Sequence, residues 1–312
     1  MDEDGEFLRI MWNVQVNKGM LIVSFEGGLG NQMFQYAFYK ALLKQYSDSD
    51  VVADFSYINP KMHNGYELNH VFGISMKESK LTDVAKLSER CPKGIKGYRL
   101  WNLLYAVRRY LCGFKNSYIR QENSTGYYPE VFQLNTLYSY YFKGVWANEK
   151  YFKHIADELQ KEFVFEGEIS EQNREWIRLI ENSESVSIHL RAGDYFQVNY
   201  DICDKAYYEK AIAYIKARVK HPVFYVFSDD ISMAKEILSF LKDVHYVDNN
   251  IGVNSFRDMQ LISKCKHNIM ANSTFSFWGA YLNTNKNKIV IGTKHAVGSC
   301  KAPYEFEGVI LI

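Results

Sequence analysis

Val186-Ser187-Ile188-His189-Leu190-Arg191-Ala192-Gly193-Asp194-Tyr195 is an apolar run that ends in a histidine and an arginine, then breaks into Gly-Asp. A short apolar segment closed by a turn signal predicts a buried strand over residues 186–190. Such a strand delivers His189 and Arg191 to the carboxyl edge of a sheet, where open α/β folds bind ligands. The guanidinium is a planar fork of donors matched to phosphate oxygens. Burying it without an anion is costly, so Arg191 is the strongest candidate for phosphate contact. His189 at a strand end is a core histidine as readily as a functional one. Asp194 after glycine equally closes a turn through its own backbone.

Outward from this strand the alternation is regular. Strands are predicted at 223–227, 245–247, 267–270 and 289–291, and helices at 205–219, 231–241, 256–264 and 276–282. Strand–helix alternation of this kind predicts a doubly wound, parallel α/β domain. Nearer the N-terminus, 20–25 reads as a buried strand ending at Gly27-Gly28. Met33, Phe34, Ala37, Phe38, Ala41 and Leu42 then recur at helical spacing, and 51–54 reads as the next strand. That is a βαβ unit, again with parallel strands. A strand is predicted at 138–145, a helix at 149–163, and a Tyr- and Arg-rich helix at 100–111. No topology follows for residues 60–140. The polar interval 166–173 is the expected boundary. It gives an extension over 1–19, an N-terminal α/β domain over 20–168, and a C-terminal α/β domain with tail over 169–312.

The 312 residues are 47% hydrophobic and 23% charged, the balance of an ordinary globular protein. Lys+Arg 37 against Asp+Glu 36 provides no net field for nucleic acid or anionic lipid, so an anion must be held by local geometry. The 24 Tyr, 20 Phe and 5 Trp suit sugar stacking, but an aromatic core accounts for them equally well. Five scattered cysteines without a CxxC pair indicate neither a disulfide framework nor a zinc site, and fit a reducing compartment. The acidic Met1-Asp2-Glu3-Asp4 is not a signal peptide, and the early apolar run is too short to span a membrane. The expectation is a cytoplasmic chain without a membrane span.

Three further constellations carry chemistry. Gly27-Gly28-Leu29-Gly30-Asn31-Gln32 lies between strand and helix. Gly28 and Gly30 let the backbone approach a ligand, and the helix start presents unpaired N–H groups to an anion. Asn31 is the expected N-cap. This is neither the GxGxxG pattern nor a Walker loop. Phe227-Ser228-Asp229-Asp230 ends another strand. A carboxylate there can accept the N1–H and N2–H edge of guanine, or Asp229 and Asp230 can cap the next helix. Asn272-Ser273-Thr274-Phe275-Ser276-Phe277-Trp278-Gly279 forms a second helix-start cradle from Asn272, Ser273, Thr274 and Ser276. Asp258, one helix earlier, is a candidate for ribose or base.

Taken together, Gly27 to Ala37, His189 to Tyr195, Phe227 to Asp230, and Cys265 to Ile269 running into Asn272 to Gly279 resemble the motifs of the α-1,2-fucosyltransferases, glycosyltransferase family 11, in the same order. Val145-Trp146 with Glu149 to Phe152 fits a further segment of that family. The resemblance spans residues 20–291. It implies a GT-B fold of two Rossmann-like domains facing across a cleft, with the acceptor side in 20–168 and the nucleotide-sugar-binding side in 169–312. It also implies GDP-fucose as donor, a terminal β-galactoside acceptor, inversion at the fucose C1 and no essential metal or other cofactor. In that picture Arg191 and Asn31 clamp the β-phosphate. Ser273, Thr274 and Ser276 support the pyrophosphate, and Asp229 or Asp258 reads the nucleoside. His189, Asp194 and Glu26 are the candidates for the base that deprotonates the acceptor. The biological setting implied is bacterial surface-polysaccharide assembly, compatible with a peripheral place at the inner membrane.

Two departures are visible. The family has two consecutive arginines where this chain has Arg191-Ala192, and a Pro and Trp segment where this chain reads Gly292-Thr293-Lys294-His295-Ala296. They leave open another GDP-sugar transferase on the same fold, or a catalytically silent nucleotide-sugar or glycan-binding protein.

Overall fold

The computed structural model describes residues 19–59, 61–88, 103, 107, 117–191, 203–296 and 302–312. Two parallel sheets organise it. The first has the order β2-β1-β4-β3, built from β1 (Met20–Ser24), β2 (Asp50–Asp54), β3 (Tyr118–Arg120) and β4 (Tyr140–Lys143). The second has the order β10-β9-β8-β5-β6-β7, from β5 (Glu184–Leu190), β6 (Pro222–Ser228), β7 (Val244–Val247), β8 (His267–Ile269), β9 (Val290–Gly292) and β10 (Val309–Leu311). The α/β class and the two facing parallel sheets expected from the sequence are both present.

The connectivity puts a switch point in each sheet. From β1 the chain crosses through α1 (Leu29–Gln45) to β2 on one side, whereas β4 lies on the other. From β5 it runs to β6 and β7 on one side and returns to β8 on the other. At such points two connections diverge and leave a crevice at the strands' carboxyl ends. The glycine loop after β1 and Arg191 after β5 stand at those ends.

Among the described residues, α2 (Leu68–Phe72), α3 (Leu81–Leu87) and α4 (Ala156–Glu162) complete the N-terminal half. The C-terminal half holds α5 (Glu171–Glu181), α6 (Lys205–Lys216), α7 (Ile231–Ile237), α8 (Phe256–Lys264) and α9 (Thr274–Tyr281). The single helix expected over 149–163 is instead two short 3-10 turns followed by α4. There the adjacent Tyr151 and Phe152 are both fully buried, which a regular amphipathic helix does not provide. The helix expected over 100–111 lies almost wholly outside the described residues.

The aromatic richness goes into the core. Helix α1 is buried on nearly all sides, because it lies between its own sheet and α9. Phe34 meets Phe277 at 4.7 Å and Trp278 at 4.9 Å, and Phe38 stacks on Trp146 at 4.2 Å. One apolar cluster therefore runs from the first sheet into α9 and the tail residue Phe306.

Candidate active site

The two switch points open into one cavity of about 600 Å³. Gly28, Gly30 and Asn31 line it from the first half, with His189, Arg191, Asp229, Asp258, Ser273 and Thr274 from the second. Residues from all four sequence constellations thus meet. Glu26, Asp230, Asn272 and Ser276 do not line it. Asp194, with Ala192, lies outside the described residues.

The glycine loop is locked by geometry. Gly27 has φ +77°, a left-handed conformation that disfavours any side chain. At Gly30 a Cβ would lie 2.6 Å from the carbonyl carbon and Oγ1 of Thr274. The missing side chain at Gly30 therefore makes room for the start of α9. The N-termini of α1 and α9 meet there, and Thr274 Oγ1 donates to Asn31 Oδ1 at 2.9 Å. The Trp278 indole N–H donates to the Gly30 carbonyl at 3.0 Å. Asn31 is not the N-cap. Gly28 takes that place, because the helix begins at Leu29, and Asn31 sits in its first turn. Two helix N-termini and the Arg191 guanidinium border one cavity, an arrangement suited to an anion.

Arg191 follows β5 and its Nε lies 3.2 Å from Asp229 Oδ2, which makes Asp229 its counter-ion. Of the two consecutive aspartates, Asp230 caps α7, accepting from the Met233 amide at 3.0 Å. Ser273 caps α9, accepting from the Phe275 amide. Ser276 is turned inward onto the Ala271 carbonyl, and Asn272 donates to the His295 carbonyl. Both therefore hold the loop that carries Ser273 and Thr274.

His189 is buried, with its ring stacked on Phe275 at 5.5 Å. Burial, reinforced by the charge of Arg191, pushes it down to about 4, so the ring is neutral and weakly basic at pH 7. Glu26 is paired with Lys143 of β4. Asp258, in the first turn of α8, accepts from Asn250 Nδ2 at 2.8 Å, and its burial raises the carboxyl to about 7.

The sequence reading missed His63, Asn64 and Glu67, which also line the cavity. They come from the stretch 60–140, for which the sequence yielded no topology. The only local signal is the turn-forming His63-Asn64-Gly65, which takes three successive left-handed φ values of 52°, 59° and 75°. Asn64 Nδ2 reaches across to the Gly252 carbonyl at 3.0 Å, bridging the halves. Among the described residues no three His, Cys, Asp or Glu side chains come together as a metal set, and no helix is long and apolar enough to cross a membrane.

An alpha-1,2-colitosyltransferase of Escherichia coli is 31% identical over 274 residues, covering 84% of this chain and 87% of the relative. The O-antigen biosynthesis glycosyltransferase WbnK of Escherichia coli is 30% identical over 285 residues, covering 86% and 92%. Galactoside alpha-(1,2)-fucosyltransferase 2 of Sus scrofa is 27% identical over 276 residues, covering 85% and 70%. Among solved structures, NodZ alpha-1,6-fucosyltransferase co-crystallized with GDP superposes with a TM-score of 0.52 at 14% identity, over 84% of this chain and 91% of that one. This last likeness concerns the fold, which is that of the GT-B-like fucosyltransferases. The pattern of Glycosyl transferase family 11 matches residues 114–300. With more than half its length matched and its relatives aligned along most of theirs, the chain belongs to glycosyl transferase family 11, the family of α-1,2-fucosyltransferases.

Proposed function

We propose that this protein transfers L-fucose from GDP-fucose to the 2-hydroxyl of a terminal β-galactoside, with inversion at the fucose C1. The observation that carries the reading is the meeting of Arg191 with the N-termini of α1 and α9 in one cavity. Breaking the bond from C1 to the β-phosphate builds negative charge on GDP, and fixed donors aimed at that charge stabilise the transition state. Arg191 and the positive N-terminal ends of α1 and α9 supply that stabilisation in this scheme, without a divalent cation. With Asp229 held as the counter-ion of Arg191, Asp258 is the carboxyl group available to the nucleoside. The role in O-antigen biosynthesis that the relative WbnK carries in its name supports a place in surface-polysaccharide assembly, with a cytoplasmic location as part of this reading.

The test is incubation with GDP-fucose and a β-galactoside, with linkage read by NMR. The expected product is the α-1,2-fucoside, formed at the same rate with and without EDTA. No transfer from GDP-fucose to any β-galactoside overturns the reading, and a rate abolished by EDTA overturns its metal-free form. One observation favours a second donor, because a relative at 31% identity carries the name of a colitosyltransferase. Competition between GDP-fucose and GDP-colitose in the same assay decides between them.

A further inference from the structure

The cavity contains a carboxyl group that none of these roles uses. Glu67 stands just before α2, directly after the left-handed turn His63-Asn64-Gly65. Its backbone is fastened to α1, since its amide donates to Gln32 Oε1 at 2.9 Å. Gln32 Nε2 in turn donates to the carbonyls of Gly27 at 2.9 Å and Gly65 at 2.8 Å. One fully buried amide thus ties the glycine loop to the turn carrying Glu67. The Glu67 carboxylate accepts from Asn64 Nδ2 at 3.2 Å and from the Leu29 amide. The side chain is 5% exposed and lines the cavity that holds Arg191.

The chemistry needs a group of this kind. A sugar hydroxyl is a weak nucleophile, and a positioned base raises its reactivity during attack. Of the other candidates among the described residues, Glu26 is paired with Lys143 away from the cavity and Asp229 is paired with Arg191. Asp258 lies in the nucleotide-binding half beside Asn250, and the His189 ring is weakly basic. Glu67 belongs to the half opposite the nucleotide. Burial lifts its carboxyl to about 7 against the pull of its two donors, which suits a base working near neutrality.

We propose that Glu67 is the catalytic base of this transfer. Its carboxylate takes the proton of the acceptor 2-hydroxyl as that oxygen bonds to the fucose C1. The bond from C1 to the β-phosphate oxygen breaks, its electron pair leaves with GDP, and Glu67 later releases the proton to water. Gln32 is a positioning residue for this step. The inference rests on the fucosyl-transfer reading above.

The test compares wild type with Glu67→Gln and Glu67→Asp in the GDP-fucose and β-galactoside assay, with GDP binding measured by calorimetry. Glu67→Gln should lose about 10²–10⁴-fold in kcat with unchanged GDP affinity, and Glu67→Asp should recover part of the loss. Azide has no proton to lose, so Glu67→Gln should still form the inverted fucosyl azide at the wild-type rate. Among the described residues, the titratable and charged groups lining the cavity with Glu67 are His63, His189, Arg191, Asp229 and Asp258. Because Asp258 is also raised to about 7, the fall in kcat/KM below pH 7 should vanish in Glu67→Gln and persist in Asp258→Asn. Wild-type kcat on the galactoside in Glu67→Gln overturns the assignment. So does loss of azide transfer and GDP binding together, which marks an architectural residue. A wild type that moves no fucose overturns the function itself, a result distinct from both.

Discussion

Asp258 shows how burial gives a carboxyl group a pH signature. Its value rises from 3.8 to about 7, mainly through desolvation and against the pull of Asn250. Below pH 4 the group is protonated in both the folded and unfolded chain, so its burial costs little. Between pH 4 and 7 the unfolded chain ionises while the folded one keeps its proton. Stability is lost over that window, by about 4 kcal/mol for a shift near three units, and is flat above it. His189 acts with the opposite sign, because a histidine pushed down to about 4 makes stability rise between pH 4 and 6.5. Comparing Asp258→Asn with wild type cancels the histidine contribution. The amide leaves stability at pH 4 nearly unchanged and raises it at pH 8, by at most about 4 kcal/mol, in urea denaturation. An equal effect at both pH values would contradict this account.

At the scale of elements, the junction of α1 with α9 decides what the sequence reveals. Gly30→Ala places a methyl group against the Thr274 backbone, which cannot rotate away as a side chain would. Forced overpacking of this kind costs about 1–3 kcal/mol. It also prises apart the Trp278–Gly30 and Asn31–Thr274 hydrogen bonds. Gly30→Ala is therefore expected to lower the thermal midpoint and to weaken GDP binding together; a stable variant with weakened binding would assign Gly30 to the ligand alone. The strand ends expected at 25, 190 and 227 fall within one residue of those at Ser24, Leu190 and Ser228, because buried parallel strands are apolar runs closed by polar or glycine residues. Helix α8 was legible to the residue, since its apolar face has the 3.6-residue period. Helix α9 starts two residues before the expected position, at Thr274, because Ser273 rather than a later residue caps it. Glu67 was not legible. No local pattern marks a glutamate in a turn as chemically active; its environment arises from Gln32, Asn64 and the Leu29 amide.

Across the whole molecule, the two sheets are not held together by a linker alone. Phe34, Phe152, Phe277 and Trp278 form one buried aromatic cluster contributed by both halves. Each such side chain contributes about 1.5–3 kcal/mol by burial, and several together rival the net stability of a domain. Calorimetry is accordingly expected to show one unfolding transition, and a fragment of residues 169–312 is expected not to fold alone. Two separated transitions would show that the halves are independent. The shared seam also limits how such enzymes can be recombined. A hybrid joining the N-terminal half of one relative to the C-terminal half of another has to inherit Gly30 with Thr274, and Phe34 with Phe277 and Trp278, as matched sets. A crossover placed in the polar interval between the sheets would part partners that lie about 240 positions apart in the chain yet meet within 5 Å in space.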